Sequence, residues 1–365
     1  MNLEEKFQTQ LKELIFLYKK QKFKNALDRS DELLRINKSI GKSHFFNNLV
    51  GLINLSLKDF DTSISFFHKA ISINKSLPDP YINLGIAYYD KGEHEISLDY
   101  FTKIYNNDKT HTISKNAIIK LLTFINPKKI NNELIMINNK LQEIDLMIDC
   151  SKKINDSKIN EIINYGVGLI KSTLNNLDYN EDQIYRRNNV ELNCERHKKI
   201  FFDFQTIPSF CFQCIKIVIH VKNTLDLIKL TLFFDKYSDL YNFDRKTMID
   251  KKNSGYKGYI YFRDIKEANL IANKIKDKLE IFLDTKINLT IKRGCTEYYK
   301  KYPEFENVKK KLSNIDGWSR NEKDFDKQNY KDGIEKKRIK QKSLSGLTLS
   351  DFLIFNKWLG YSKSL

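Results

Sequence analysis

Five cysteines stand in 365 residues, and four of them have neighbours that could do chemistry. Cys194-Glu195-Arg196-His197 sets a thiol and an imidazole at x₂ spacing, and Cys211-Phe212-Gln213-Cys214 sets two thiols the same way. Cys295 follows Arg293-Gly294. Sulfur and nitrogen donors at these spacings suit zinc, a borderline-soft ion that takes four ligands tetrahedrally. The metal candidates are therefore Cys194, His197, Cys211, Cys214 and Cys295. A Cys₄ iron–sulfur cluster is the second metal chemistry open to them. Without metal they are buried thiols, since reduced cysteine packs as a small hydrophobe. Thiol redox ranks last, because a redox C-x-x-C draws its low pKa from a helix N-terminus and this one opens a strand. Cys150, alone on a helical stretch, reads as a core residue. Five cysteines are too few for a disulfide scaffold, so a reducing, cytoplasmic setting is expected.

Whether these sulfurs meet depends on the elements that carry them. From Cys211 onward, apolar residues alternate with polar ones. Ile215, Ile217 and Ile219 mark a strand, and Asn223 caps a helix to about Phe234. Thr247–Asp250 and Lys257–Phe262 are strands joined at Asn253-Ser254-Gly255. Ala268, Ile271, Ala272, Ile275 and Leu279 line one helix face, and Ile287, Leu289 and Ile291 form a last strand. The order β-α-β-β-α-β predicts a ferredoxin-like α+β domain. There the fourth strand runs antiparallel beside the first, which brings Cys295 to Cys211 and Cys214. The opposite sheet face carries Lys216, His220, Tyr259, Tyr261, Asn288, Thr290 and Lys292. Lys257-Gly258-Tyr259-Ile260-Tyr261-Phe262 partly resembles the RNP1 motif of RNA-recognition domains, departing at Ile260 and Asp264. That resemblance implies an alternative in which Lys216, Tyr259, Tyr261 and Lys292 bind RNA; a covered sheet face is the competing reading.

The N-terminal third repeats. Asn25-Ala26-Leu27 through Ile36-Asn37 aligns with Thr62-Ser63-Ile64 through Ile73-Asn74, and Leu52 through Phe67 aligns with Ile86 through Phe101. Tyr81, Leu84-Gly85, Tyr88, Ser97 and Phe101 fall at positions that resemble the tetratricopeptide repeat, a 34-residue helix–turn–helix. Gly51, Ser63, Phe67 and Ala70 match in the second copy, while the first keeps Ala26. The resemblance covers residues 10–126 and implies an all-α solenoid whose groove binds a protein or peptide, or a short array that braces its neighbour. Groove candidates on the first helices are Asn47, Asn54, Tyr81, Asn83 and Tyr88. His44, His68, His94 and His111 are scattered and read as solvated helix positions.

The expected organisation is helical repeats over 1–126, a helical bridge and loop over 127–193, the α/β domain over 194–295, and a charged extension with an amphipathic helix over 296–365. Helices are predicted over 130–149 and from Asp156, the second with Gly166 and Gly168 placed for close contact, and 178–195 reads as loop. Arg186, Arg187, Glu195, Arg196 and Arg293 could surround an anion, and the basic run 336–342 could touch an acidic surface. Thr348 caps the final helix with Asp351 at its third position. The net charge of +17 is spread along the chain with acids interleaved, a weak argument for nucleic acid. No apolar run approaches a membrane span, and the acidic start Met-Asn-Leu-Glu-Glu-Lys predicts no signal peptide. Walker, dinucleotide, H-E-x-x-H and G-x-S-x-G motifs are absent from the sequence. A non-enzymatic interaction protein is the leading expectation, with an enzyme acting at Cys211, Cys214 and Cys295 as the last alternative.

Overall fold

An Asx turn closes the second helix of each N-terminal hairpin and sets the repeat. Asn37 Oδ1 accepts from the backbone N and Oγ of Ser39 at 3.0 and 2.6 Å. Asn74 does the same for Ser76 at 3.1 and 2.7 Å, and Asp108 for Thr110 at 2.9 and 2.6 Å. The side chain takes over donors that the helix end leaves free. The computed structural model describes residues 3–145, 153–174, 178–188, 193–251, 255–308, 317–335 and 342–363. These form two compact units, Met1–Ala117 with Asp316–Ile339, and Ile118–Ile315 with Lys340–Leu365.

In the first unit, α1 (Leu3–Lys19) pairs with α2 (Phe23–Ile36), α3 (His44–Ser56) with α4 (Phe60–Ile73), and α5 (Pro78–Lys91) with α6 (His94–Asn107). A 3-10 turn at Lys38–Lys42 lengthens the first connection. Leu14, Ala26, Leu33, Phe46, Val50 and Ile53 share one core cluster, and Phe67, Leu84 and Ala87 another. The hairpins close on glycine. A Cβ on Gly51 would lie 2.5 Å from the Phe67 ring, and one on Gly85 2.7 Å from Phe101, so the aromatic ring lies directly on the first helix. Ser97 Oγ donates to the Gly85 carbonyl at 2.7 Å and draws the second helix in. The division between units falls within α7 (Thr112–Leu121).

The second unit holds α8 (Glu133–Asp145), α9 (Asp156–Lys171), β1 (Gln183–Arg186), α10 (Cys194–Phe204), β2 (Ile215–Val221), α11 (Thr224–Lys236), β3 (Asp244–Asp250), β4 (Gly255–Phe262), α12 (Ile265–Leu283), β5 (Asn288–Arg293) and α13 (Thr296–Lys301). The sheet order is β1-β3-β4-β2-β5 and every neighbouring pair is antiparallel. Ile217 pairs with Ile260 on one side and Ile291 on the other. Ile215, Ile217, Ile219, Leu227, Leu230, Ile271, Ile275 and Leu279 are all buried where α11 and α12 cover the sheet.

The predicted loop over 178–195 contains edge strand β1 and the start of α10. Four residues of strand and a C-x₂-H segment carry too little periodicity to declare themselves. The helix predicted over 130–149 is described as far as Asp145, and Cys150 lies outside the described residues, as do residues 336–341 of the basic run. Gly166 does mark close contact: a Cβ there would lie 2.2 Å from the Phe352 ring. Gly168 has nothing within 4 Å of that position, so packing does not explain it.

Two helices complete the fold. In the first unit, α14 (Trp318–Asn329) buries Trp318 and Phe325 and packs on α2. The residues after it bury Tyr330, and Lys331 N donates to the Leu57 carbonyl at 3.2 Å. In the second unit, α15 (Leu349–Lys363) buries Phe352, Leu353, Phe355 and Trp358, and Trp358 Nε1 donates to the Asp182 carbonyl at 2.9 Å. No helix among the described residues is long and apolar enough to cross a membrane.

Candidate functional site

The groove candidates separate once their partners are known. Asn47 is buried and its Nδ2 donates to the carbonyls of Gly41 and Ser43, both at 2.8 Å. Asn54 is buried too, donating to the Val50 carbonyl at 2.9 Å. Both amides serve the interior of their hairpin and line no groove, because a buried amide must find backbone partners. Asn83 behaves otherwise: its Nδ2 donates to Asn48 Oδ1 at 2.9 Å and links the two first helices α3 and α5. Asn48, the neighbour of the Asn47 singled out from sequence, is the residue that reasoning missed. Phe45, 49% exposed, lies three residues before Asn48 on the same face of α3. Tyr88 stacks on Tyr100 of α6 with centroids 5.7 Å apart, and the Tyr81 hydroxyl donates to the Lys75 carbonyl at 3.3 Å. His94 is buried against the Tyr89 ring and is not a solvated position.

In the second unit, the strand order does bring the cysteines to one corner. Arg293 pairs with Ile215, and Gly294 N donates to the Cys214 carbonyl at 2.7 Å, which sets Cys295 beside Cys214. Gly294 has φ +58°, and a Cβ there would lie 2.2 Å from the Phe305 ring, so glycine alone fits the turn. Cys211 Sγ lies 3.4 Å from the hydroxyl of Tyr298, which is fully buried among Phe201 and Phe305. Cys194 opens α10 and Cys295 precedes α13.

Cys211 and Cys214 are buried there, and Cys194 and Cys295 are half-buried. Burial pushes the Cys214 thiol up to about 12 and Cys295 up to about 11, with the neighbouring thiols adding to both. Cys211 is raised well above the ordinary thiol value by burial, then by Cys295. Burial raises Cys194 as well. Protonated thiols are the wrong form for a nucleophile, and a metal binding them would have to displace their protons. The described cysteines form no disulfide. His197 packs on the Phe210 ring with centroids 5.0 Å apart, and burial holds its pKa down at about 4, helped by Arg196 and Arg263. Among the described residues, no group of three or more His, Cys, Asp or Glu is disposed to hold a metal ion. The sulfurs predicted to converge therefore do so through the antiparallel pairing of β2 and β5.

Arg186, expected near an anion, is committed elsewhere. Its guanidinium grips Asp235 (Nη2–Oδ2 2.7 Å) and Asp351 (Nη2–Oδ2 2.7 Å), all three residues being 1–3% exposed. Burial opposes its charge, and the two carboxylates more than offset that, raising its pKa. Asp351 Oδ2 also accepts from Thr348 N at 2.8 Å, the cap the sequence predicts for α15.

On the second sheet face, the residues of the RNA-binding alternative are only partly open. Lys216 is 7% exposed, and Tyr259 and Tyr261 are half-buried with ring centroids 6.3 Å apart. Tyr185 of β1 adds a ring 6.2 Å from Tyr261. Lys292 is ion-paired to Glu306. This face is thus no free stacking platform at its Lys216 and Tyr261 end.

No family model matches the chain, and no curated protein does either. Among solved structures, the chain is similar to the TPR domain of OM64 from Arabidopsis, at 18% identity over 33% of this chain and 98% of that one, with TM-score 0.30. It is also similar to the first TPR domain of Spaghetti (RPAP3) bound to the HSP90 peptide SRMEEVD, at 15% identity over 32% and 90%, with TM-score 0.29. Its paired helices, recurring Asx turn and glycine-on-phenylalanine contacts give the N-terminal part the repeated helical hairpins that the tetratricopeptide resemblance implies.

Proposed function

We propose that this chain is a non-enzymatic interaction protein of the cytoplasm whose hairpin array binds a peptide segment of a partner protein along α3 and α5. The supporting observation is the surface made by exposed Phe45 beside the Asn48–Asn83 amide pair: an aromatic anchor next to side chains that can turn to a peptide backbone. Elsewhere in the same unit α14, which buries Trp318 and Phe325, packs on α2 and leaves α3 and α5 to other partners. The second unit is read as a ferredoxin-like module with β1 added at its edge, since β5-β2-β4-β3 follows the split β-α-β order. It gives the interaction protein a second body.

The test is a photo-crosslinking residue placed at Phe45 of the full chain in cells, with Ile73 of α4 as the control position. Phe45 should yield a recurring peptide from another protein, lost in Asn83→Ala. Equal labelling at both positions, or labelling of this chain alone, would remove the proposal.

A further inference from the structure

The two edges of the sheet are finished differently. At the β1 edge the chain closes on itself: Ser343 N donates to the Arg187 carbonyl at 2.8 Å, and Arg187 N donates to Ser343 Oγ at 2.8 Å. α15 packs beside the same strand. At the other edge, β5 pairs with β2 on one side, and among the described residues no strand pairs with it on the other.

The ladder fixes which backbone groups are left over. Gly294 N donates to the Cys214 carbonyl, so the N–H and C=O of Lys292, Thr290 and Asn288 turn toward β2. Those of Leu289, Ile291 and Arg293 turn outward, because successive residues alternate. The Arg293 carbonyl is taken by the Tyr299 hydroxyl. At the opposite end of the strand, Ile287 N is taken by Glu280 Oε1 at 3.2 Å. Leu289 and Ile291 lie between, their outward groups without a partner among the described residues and their side chains half-buried. Lys292 and Arg293, the charges that would ward off a neighbour here, are engaged by Glu306 and the Val308 carbonyl.

An open edge of this kind takes a strand, and β5 is complementary to itself. A two-fold axis through Thr290 sets Leu289 opposite Ile291 of the second copy, and Ile291 opposite Leu289. Four hydrogen bonds then satisfy the outward groups of both residues in both strands. Moving the axis to Ile291 would call on the occupied Arg293 carbonyl, and moving it to Leu289 on the occupied Ile287 N. The Thr290 register also sets Lys292 opposite Asn288 instead of another lysine. The two Thr290 side chains meet in the closer kind of antiparallel pair. Thr290 Oγ1 is buried and has no hydrogen-bond partner among the described residues. A facing hydroxyl would give it one.

We propose that two copies of this chain join β5 to β5 about an axis through Thr290, making one continuous sheet. The proposal concerns the second unit alone and is independent of the peptide-binding reading.

The test is sedimentation velocity on the full chain across a concentration series, which should show a monomer–dimer equilibrium. Asn288 is exposed, so changing it should leave the fold intact. Asn288→Glu, facing Lys292 of the second copy, should tighten the dimer about threefold or more, and Asn288→Lys should weaken it as much, since each pair occurs twice. Under oxidised glutathione, Thr290→Cys should cross-link into a covalent dimer, because the two positions meet on the axis. Asn288→Cys, away from the axis, should not. Three results would overturn the proposal: a dimer indifferent to both charge substitutions, cross-linking of Asn288→Cys in place of Thr290→Cys, or a chain that stays monomeric throughout. The last holds even if the β5 edge takes up a strand from a different protein.

Discussion

In the hairpin unit the closest contacts are between apolar groups: the Phe67 ring on Gly51, the Phe101 ring on Gly85. The sheet unit also buries ionic contacts, with Arg186 held between Asp235 and Asp351 and Arg245 3.8 Å from Asp235. The first kind of contact joins helices adjacent in sequence and recurs with the repeat. The second joins β1, α11 and the start of α15, with Arg186 and Asp351 separated by 165 positions in sequence. Local packing can lose one contact and keep the rest, whereas a buried charge that loses its partner has no substitute. The two units should therefore fail differently.

The largest effect is expected at Arg186. Arg186→Met leaves two carboxylates buried and facing each other, which should cost on the order of 3–5 kcal/mol in urea unfolding. Adding Asp235→Asn and Asp351→Asn should recover part of the loss. A single-variant cost below about 1 kcal/mol would erase the contrast between the units.

Gly85→Ala comes next. The new Cβ meets the Phe101 ring at 2.7 Å, so overpacking should cost about 1–3 kcal/mol, set against the gain of about 1 kcal/mol from helix propensity. Phe101→Leu should relieve it, and a double-mutant cycle would measure the coupling. Gly168→Ala in α9 sharpens the comparison, because its Cβ meets nothing within 4 Å. That change should stabilise by about 0.5–1 kcal/mol.

How much of this was legible in the sequence follows the same divide. The hairpins are local, so Gly85, Ser97 and Phe101 report them at fixed spacing, and strands β2, β4 and β5 report themselves by alternation. β1 does not: its Arg186 is core only because Asp235 and Asp351 arrive from other elements. The meeting of Cys295 with Cys214 was readable because it needs only strand direction. That burial leaves those thiols protonated was not, because it depends on Phe201, Tyr298 and Phe305 closing over them. Asn47 and Asn48 show the finest limit: adjacent amides of one helix, one turned to its backbone and one to the neighbouring helix, differ by a rotation no composition records.

A further prediction concerns acid. His197 is neutral in the fold, with its pKa held near 4 by burial, against 6.5 ordinarily. The unfolded chain takes up a proton first as pH falls, so stability drops between about 6.5 and 4. From pH 7 to pH 5 the loss should be about 2 kcal/mol. In His197→Phe that component should vanish from the pH dependence of urea unfolding. An unchanged pH profile would place the imidazole in water.

The smallest effect is expected where the hairpin unit uses a charge at all. Lys331 reaches the Asp59 carboxylate, with side chains 40% and 13% exposed, so solvent screens the pair. Burial of Asp59 raises its pKa, but the combined hydrogen bonds from Lys331 and Thr62 win and lower it. The contribution is then complete above the ordinary carboxylate pKa of 3.8 and fades as pH falls through the lower folded value. Lys331→Ala should cost less than about 1 kcal/mol at pH 7 and nothing once Asp59 is protonated. The Lys331 N to Leu57 carbonyl bond survives that substitution, so α14 should stay docked on α2. Amide exchange across residues 318–330 measures this directly. Release of α14 in Lys331→Ala would mean that a surface charge governs the hairpin unit as Arg186 governs the sheet, and the contrast drawn between the two would fall.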